Sequence, residues 1–576
     1  MGYLRFATND DTTMLAIAAG GYGGKPSPYV VNIHCLLGYI LNALYTVIPD
    51  INWFTVLYLS MYAMSFFFIL YTITKSCRRN RSLCSFGFVI VTVGFYLLLS
   101  FFSFTVAAYA LLTAGMSGLL YSMEVEGTVQ NKSTYVTVKE YPCGIALRIM
   151  EILSVVLIVL AAMMRTDVIN TAIVMVVVYG SVAWIGHLAI EARKADDESN
   201  GNRERLLRIA IILGVLVIIE TASYASNKWL LTRDKAESEF YQWGETRSKA
   251  LDCAQVPYNE ELFTEYGFSK ASYEACYEAF YYIRDAVSKE KMLTLIELNK
   301  KRYNPHIIGF IKAHFSAYII PGFRRIWQGM FVLGILAGLI ISGRIGRIQM
   351  IALYISVISA DYVYHFIQRP MVHVMMPTYV MGSIIGVVLL ATDQSRGKTS
   401  AGENKRMSMT MKIISALTLI IVTVAMIDIH QETARYSMTL TADQAESLHE
   451  GREYMRAHPD KLFFALDPAV FAVSTDEDMW HNRYADEPYN LAGNWEIYSV
   501  PSNAMFESYG IDDTDPGRKL VNNDNAVFLQ SNTEDTDPNE SYIIELYKEY
   551  HGMSVRFDQI DSLKNGWKAY RLKEVS

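Results

Sequence analysis

Cysteine is scarce and scattered, with six in 576 residues and no C-x-x-C or H-x-x-x-H spacing. That excludes a disulfide framework and a closed zinc-type site. Charge is thin as well, at 19% Asp, Glu, Lys and Arg. Nowhere do Lys and Arg form stripes interleaved with aromatics, so a nucleic-acid footprint is excluded too. No internal repeat suggests paired inverted halves, which argues against the commonest transporter architectures.

What the chain does have is apolar length. Hydrophobic residues make up 52% of it and its mean hydropathy is +0.17. A hydrocarbon core roughly 30 Å thick demands about 20 apolar residues of a crossing helix, and about ten runs satisfy that demand. They lie at 52–74, 84–103, 104–122, 145–164, 168–190, 208–226, 326–343, 349–367, 371–392 and 411–428. The short connections 75–83 (KSCRRNRSL), 191–207, 344–348 and 393–410 are rich in Lys and Arg and are predicted to face the cytoplasm. Connection 123–144 follows by alternation. Segments 227–325 and 430–576 then fall on the exported side.

Residues 430–576 carry 27 acidic and 13 basic side chains, leaving the first 429 residues net positive. This tail reads as a folded α/β domain: a helix at 442–457, strands at 461–466 and 526–530, a helix at 541–551, then extended segments. Trp480, Trp495 and Trp567 require a core. The fold expected is an all-α polytopic membrane bundle with a C-terminal exported α/β soluble domain. Its predicted parts are 1–51 (a first exported loop with an interfacial helix), 52–226 (transmembrane), 227–325 (an exported helical loop), 326–428 (transmembrane) and 429–576 (soluble). Ten spans would leave Met1 outside, with a start-transfer helix missing before it. The alternative is an eleventh span at 29–48, where Val30, Ile33, Leu37, Leu41 and Leu44 make an apolar stripe that equally suits an interfacial helix.

Chemistry is expected on the exported face. Asp10 and Asp11 stand in ATNDDTTM, before the glycine-rich AGGYGGKPSP, and paired carboxylates there suit a general base for a hydroxyl nucleophile. Equally, Asp11 suits the N-cap of a helix over 12–19. Ionisable residues inside spans are functional candidates because lipid makes them costly. Glu220, Asp361, His365 and His373 qualify, and Arg369 sits beside them in YHFIQRPMVH. A lipid phosphate needs a cation at headgroup level. Arg369 is the first choice, with Arg324 and Arg325 second, although snorkelling anchors explain the latter two equally. Lys25 suits a headgroup contact, and His34 sits on the interfacial segment. Arg148 and Glu151 read as a structural pair. The aromatics of 227–325 suit either a packed cap or platforms for sugar rings. Cys253 and Cys276 share that loop and suit either a bridge or two buried thiols.

The strings NDDTTM, GGYGGKPSPY, NIHCLLGYILNALY and IPDINWF resemble the first exported loop of bacterial integral-membrane glycosyltransferases of the GT-C class. The likeness is close over residues 3–56, loose over the bundle and only general over the soluble domain. It implies inverting transfer of a sugar from a polyprenyl-phosphate donor to an exported glycan, lipid or protein acceptor. Asp10 or Asp11 would be the base, with Asp11 slightly favoured. No cofactor is expected, although two carboxylates can borrow a divalent cation. The alternatives are a transporter or flippase of a lipid-linked or glycan substrate and a non-enzymatic cell-surface assembly protein.

Overall fold

A computed structural model describes residues 6–77, 80–130, 144–191, 199–252, 257–302, 326–367, 371–396 and 442–575, apart from 468–469, 471–477, 487–489, 494, 512–514, 532–536 and 565, together with the isolated positions 409, 413 and 416. Its first part is all helix: α1 (Asn9–Ala19), α2 (Cys35–Val47), α3 (Trp53–Ser76), α4 (Arg81–Leu99), α5 (Phe104–Gln130), α6 (Gly144–Met164), α7 (Val168–Glu191) and α8 (Ser199–Leu231). Four helices, α9 (Lys235–Leu251), α10 (Glu260–Glu265), α11 (Lys270–Tyr277) and α12 (Lys289–Arg302), make a cap. The bundle resumes with α13 (Ile326–Ile341), α14 (Arg344–Phe366) and α15 (Val372–Arg396).

Among the described residues seven helices are long and apolar enough to cross a membrane, against the ten expected. Within span 326–343 the described residues form the 16-residue α13, which begins where the described residues resume at 326. Span 349–367 lies within α14, whose Arg344, Arg347, Gln349 and Asp361 dilute its apolar character. Span 411–428 falls almost wholly outside the described residues. Segment 29–48 forms only the 13-residue α2, about 20 Å long, too short to cross.

Hydropathy does not reveal which spans lie at the centre, but burial does. Of the Phe104–Met123 span 94% is buried, of Val372–Asp393 89%, and of Leu207–Leu231 only 22%. Thus α5 and α15 form the core and α8 faces outward. Lipid gives apolar helices no hydrophobic reason to associate, so close packing must do the work. Helix α5 achieves it with small residues. A Cβ on Gly115 would lie 2.6 Å from the Ser154 carbonyl oxygen of α6, and one on Gly118 2.1 Å from the Ser154 hydroxyl.

The C-terminal part is α/β, with α16 (Ala442–Ala457), β1 (Leu462–Ala465), β2 (Leu491–Ala492), α17 (Val500–Ser508), α18 (Pro516–Leu520), β3 (Ala526–Gln530), α19 (Tyr542–His551), β4 (Val555–Ser562) and β5 (Lys568–Glu574). Its sheet runs β2-β1-β3-β5-β4. Strands β2, β1 and β3 are parallel, and β5 and β4 close the sheet as an antiparallel pair. The continuous apolar run AVFLQ is buried at every position, as befits a strand covered on both faces. Trp567 and Trp495 are buried at 1% and 8% exposure, but Trp480 is 65% exposed and contributes nothing to the core.

The aromatic-rich cap is packed. Phe263, Phe280, Tyr281 and Tyr282 are all buried, and Trp243 meets Tyr281 and Tyr498 edge-on. Cys276 is a free buried thiol, while Cys253 lies outside the described residues. Arg148 and Glu151 form an i,i+3 ion pair at 2.7 Å on α6.

Candidate active site

The T-N-D-D run opens α1 three residues earlier than a cap at Asp11 would. Thr8, extended at φ −135° and ψ 151°, is the N-cap residue, so Asp11 occupies the third helical position. The Thr8 hydroxyl donates to Asp11 at 2.6 Å. Two further donors reach the same carboxylate: the Tyr58 hydroxyl of α3 at 2.8 Å and the backbone N–H of Phe104 at the start of α5 at 2.9 Å. Asp11 is fully buried. Burial pushes its pKa up to about 7 against the pull of its three donors. The side chain therefore staples α1 to two bundle helices and has little capacity left for a substrate.

Asp10 faces the other way and is half-buried. It accepts one hydrogen bond, from the Trp495 indole N–H at 2.7 Å, across 485 residues of chain. Burial raises its proton affinity, opposed by Trp495 and by Arg247 and Arg165 nearby. Trp495 is placed by the end of β2. Gly493 has φ +101°, and a Cβ there would fall 1.5 Å from the Tyr282 hydroxyl, which itself donates to the Ala492 carbonyl at 3.1 Å. Glycine is thus required for the chain to turn from the strand into Trp495–Glu496. Glu496 is 2% exposed and accepts from Tyr22 of the glycine-rich loop at 3.1 Å. Burial pushes it up to about 7. Arg247 of α9 is paired with Asp252 at 3.3 Å.

Arg165 sits in the turn between α6 and α7. Its guanidinium lies 5.1 Å from the Phe104 ring centroid, donates to the Thr105 hydroxyl at 2.5 Å and approaches Asp167 at 3.9 Å. Phe104 is the residue whose N–H holds Asp11, so the acidic turn and Arg165 share one helix start. Arg165, Thr105, Asn170, Thr171, Tyr364 and His373 help line a cavity of about 280 Å³ between α5, α7, α14 and α15. The Tyr109 hydroxyl meets those of Tyr364 and Thr171 at 2.7 and 2.8 Å. Beneath it the same four helices enclose a smaller cavity of about 40 Å³, lined by Met116, Leu120, Met175, Leu353 and Met381 among others. The larger cavity carries the polar side chains and the smaller one is lined by apolar groups.

The other sequence candidates scatter. His373 reaches the cavity and stacks on Phe101 at 5.9 Å. Asp361 points instead between α14 and α15, buried, holding the Tyr379 hydroxyl at 2.7 Å, with His365 3.7 Å away. Glu220 is half-buried on α8 and hydrogen-bonds Asn170. His34 is the α2 N-cap, accepting from Leu36 N–H at 3.1 Å and meeting Ser226 at 2.9 Å. Lys25 is exposed in the glycine-rich loop. Arg324, Arg325 and Arg369 lie outside the described residues. Among the described residues no group of three or more His, Cys, Asp or Glu side chains is arranged to hold a metal ion. Arg165, Arg247, Trp495 and Glu496 were not foreseen. Arg165 left one signal, as the single cation in a turn otherwise poor in basic residues.

The architecture defines a multi-pass helical membrane protein whose soluble α/β domain reaches back to an acidic turn at the bundle end. No family model matches the chain, and no curated protein matches its sequence. Among solved structures it is similar to ArnT from Cupriavidus metallidurans, at 11% identity over 98% of this chain and 94% of that one, with a TM-score of 0.37 for the apo state. The form of that protein bound to undecaprenyl phosphate gives 0.36 at the same identity and coverage.

Proposed function

We propose that the protein is a membrane glycosyltransferase that moves a sugar from a polyprenyl-phosphate-linked donor to a hydroxyl acceptor on the exported face, with Asp10 as general base. The observation that carries the proposal is a half-buried carboxylate, Asp10, held by the Trp495 indole N–H and lying within the electrostatic reach of Arg165, a guanidinium that lines a cavity of about 280 Å³. A lipid-linked phosphate needs a cation beside the base. The phosphate meets a guanidinium that offers two parallel hydrogen bonds, and the sugar faces the base.

In the reaction Asp10 takes the proton from the acceptor hydroxyl. The oxygen attacks the anomeric carbon from the face opposite the phosphate, and the bond from that carbon to the phosphate oxygen breaks. Configuration inverts, and the charge gathering on the departing phosphate is stabilised by Arg165. Asp11 is the weaker candidate for the base, since three donors already occupy it. The carboxylate and guanidinium supply base and anion-holder without a cofactor. Asp10 and Trp495 lie on the exported side in this reading, in keeping with the Lys- and Arg-rich connections assigned to the cytoplasm. The acceptor is an exported glycan, lipid or protein that brings a hydroxyl to Asp10.

Photolabelling with a benzophenone-bearing polyprenyl phosphate in proteoliposomes tests the binding half. Arg165→Ala is expected to lose most of the labelling and Asp10→Asn to keep it. Equal labelling of all three proteins would sink the assignment of Arg165.

A further inference from the structure

Tryptophan at 65% exposure on a folded domain is unusual when its siblings Trp495 and Trp567 are buried. Trp480 is also held there deliberately. The Asp478 carboxylate accepts from the backbone N–H groups of Trp480 and His481 at 2.8 and 3.1 Å, forming a tight turn with the indole at its tip. That turn is stitched to the connection between α2 and α3. Asn52 donates its N–H to the Trp480 carbonyl at 3.0 Å and its side-chain amide to the Asp478 carbonyl at 3.0 Å. Asn482 donates to the carbonyls of Asp50 and Pro49, each at 2.8 Å. Ile51 and His481 form a β-bridge.

Asn52 is the N-cap of α3, which has the length and composition of a membrane span from Trp53 onward. The turn at 478–482 therefore lies at the depth where a span leaves the hydrocarbon. Next to it, α2 and the residue that follows turn Ile40, Val47 and Ile48 outward at 53%, 77% and 43% exposure. Indole rings favour this depth, because the ring is apolar and its N–H seeks water or headgroup oxygen.

We infer that Trp480 anchors the soluble domain in the interfacial layer of the bilayer, completing with α2 and the start of α3 one lipid-facing collar. The partner is the boundary between lipid headgroups and acyl chains. A protein partner is the less apt occupant because the patch is continuous with the mouth of a membrane span. The consequence is a fixed height for the domain, and Trp495 belongs to that same domain.

Quenching distinguishes the outcomes without any activity assay. In phosphatidylcholine vesicles containing a fraction of brominated phosphatidylcholine, the full-length protein and Trp480→Phe are compared, and the difference reports Trp480 alone. Trp480 is expected to be quenched severalfold more by bromolipid than by aqueous iodide. As a second readout, Trp480→Cys in a background without the six native cysteines carries an environment-sensitive fluorophore, beside Gln559→Cys on exposed β4. The label at 480 should be blue-shifted and shielded from iodide, and the label at 559 neither. Equal iodide quenching at 480 and 559, with no bromolipid quenching of Trp480, would overturn the proposal.

Discussion

Two adjacent aspartates acquire different partners because a helix turn points them in different directions. Asp11 spends its carboxylate on three donors from three segments. Replacing it by Ala strands the Tyr58 hydroxyl and the Phe104 N–H in the interior, a loss of about 1–3 kcal/mol for each unsatisfied group. A large fall in Tm in detergent is the expected measurement. At Asp10 the Trp495 indole N–H favours the ionised form, so Trp495→Phe raises the proton affinity further. The acid limb of the rate–pH profile should then move to higher pH, because a base must be deprotonated to act. An unmoved limb would separate Trp495 from catalysis. The Asp pair was legible as a candidate from its motif, ATNDDTTM before a glycine-rich stretch, and from the resemblance that motif carries. The different partners of its two members were not, since these stand 47, 93 and 485 residues away.

Among the elements, α5 and α8 are both strongly apolar, and only the detail of their residues separates core from rim. The small positions of α5 let α6 approach until a Cβ on Gly115 would strike both the Ser154 carbonyl and the Ile158 side chain. On α8 a Cβ at Gly214 would meet nothing within 4 Å. Gly115→Leu should therefore destabilise by about 1–3 kcal/mol, the usual range for overpacking, and Gly214→Leu should be neutral. Thermal unfolding in nanodiscs checks both. Periodicity and apolar length made the seven well-formed spans, and most strands and helices of the soluble domain, readable in advance. The exposure of Trp480 was not readable, because surface placement depends on tertiary neighbours. Strand β2, of two residues, is too brief to leave a pattern.

For the whole molecule the bundle, the cap and the soluble domain meet at buried acids. Glu237 of α9 is 2% exposed, and burial together with Asp234 pushes it up to about 8. Glu496 rises to about 7. Both have an ordinary value of 4.5. Through this window the folded chain holds protons on these two groups that the unfolded chain has released, so their contribution to stability falls as pH rises from roughly 5 to 8. Glu237→Gln removes one of these groups and should flatten the dependence of Tm on pH, raising Tm most at the alkaline end. An unchanged slope would mean that Glu237 ionises freely where it stands.

The most direct test of the central claim is turnover. Purified protein in proteoliposomes would be offered a panel of polyprenyl-phosphate-linked sugars together with exported-face envelope extract, and release of free polyprenyl phosphate followed. The native sequence should consume at least one donor, while Asp10→Asn, with an unchanged Tm, should release almost none. Undiminished release by Asp10→Asn would contradict the assignment of Asp10 as the base.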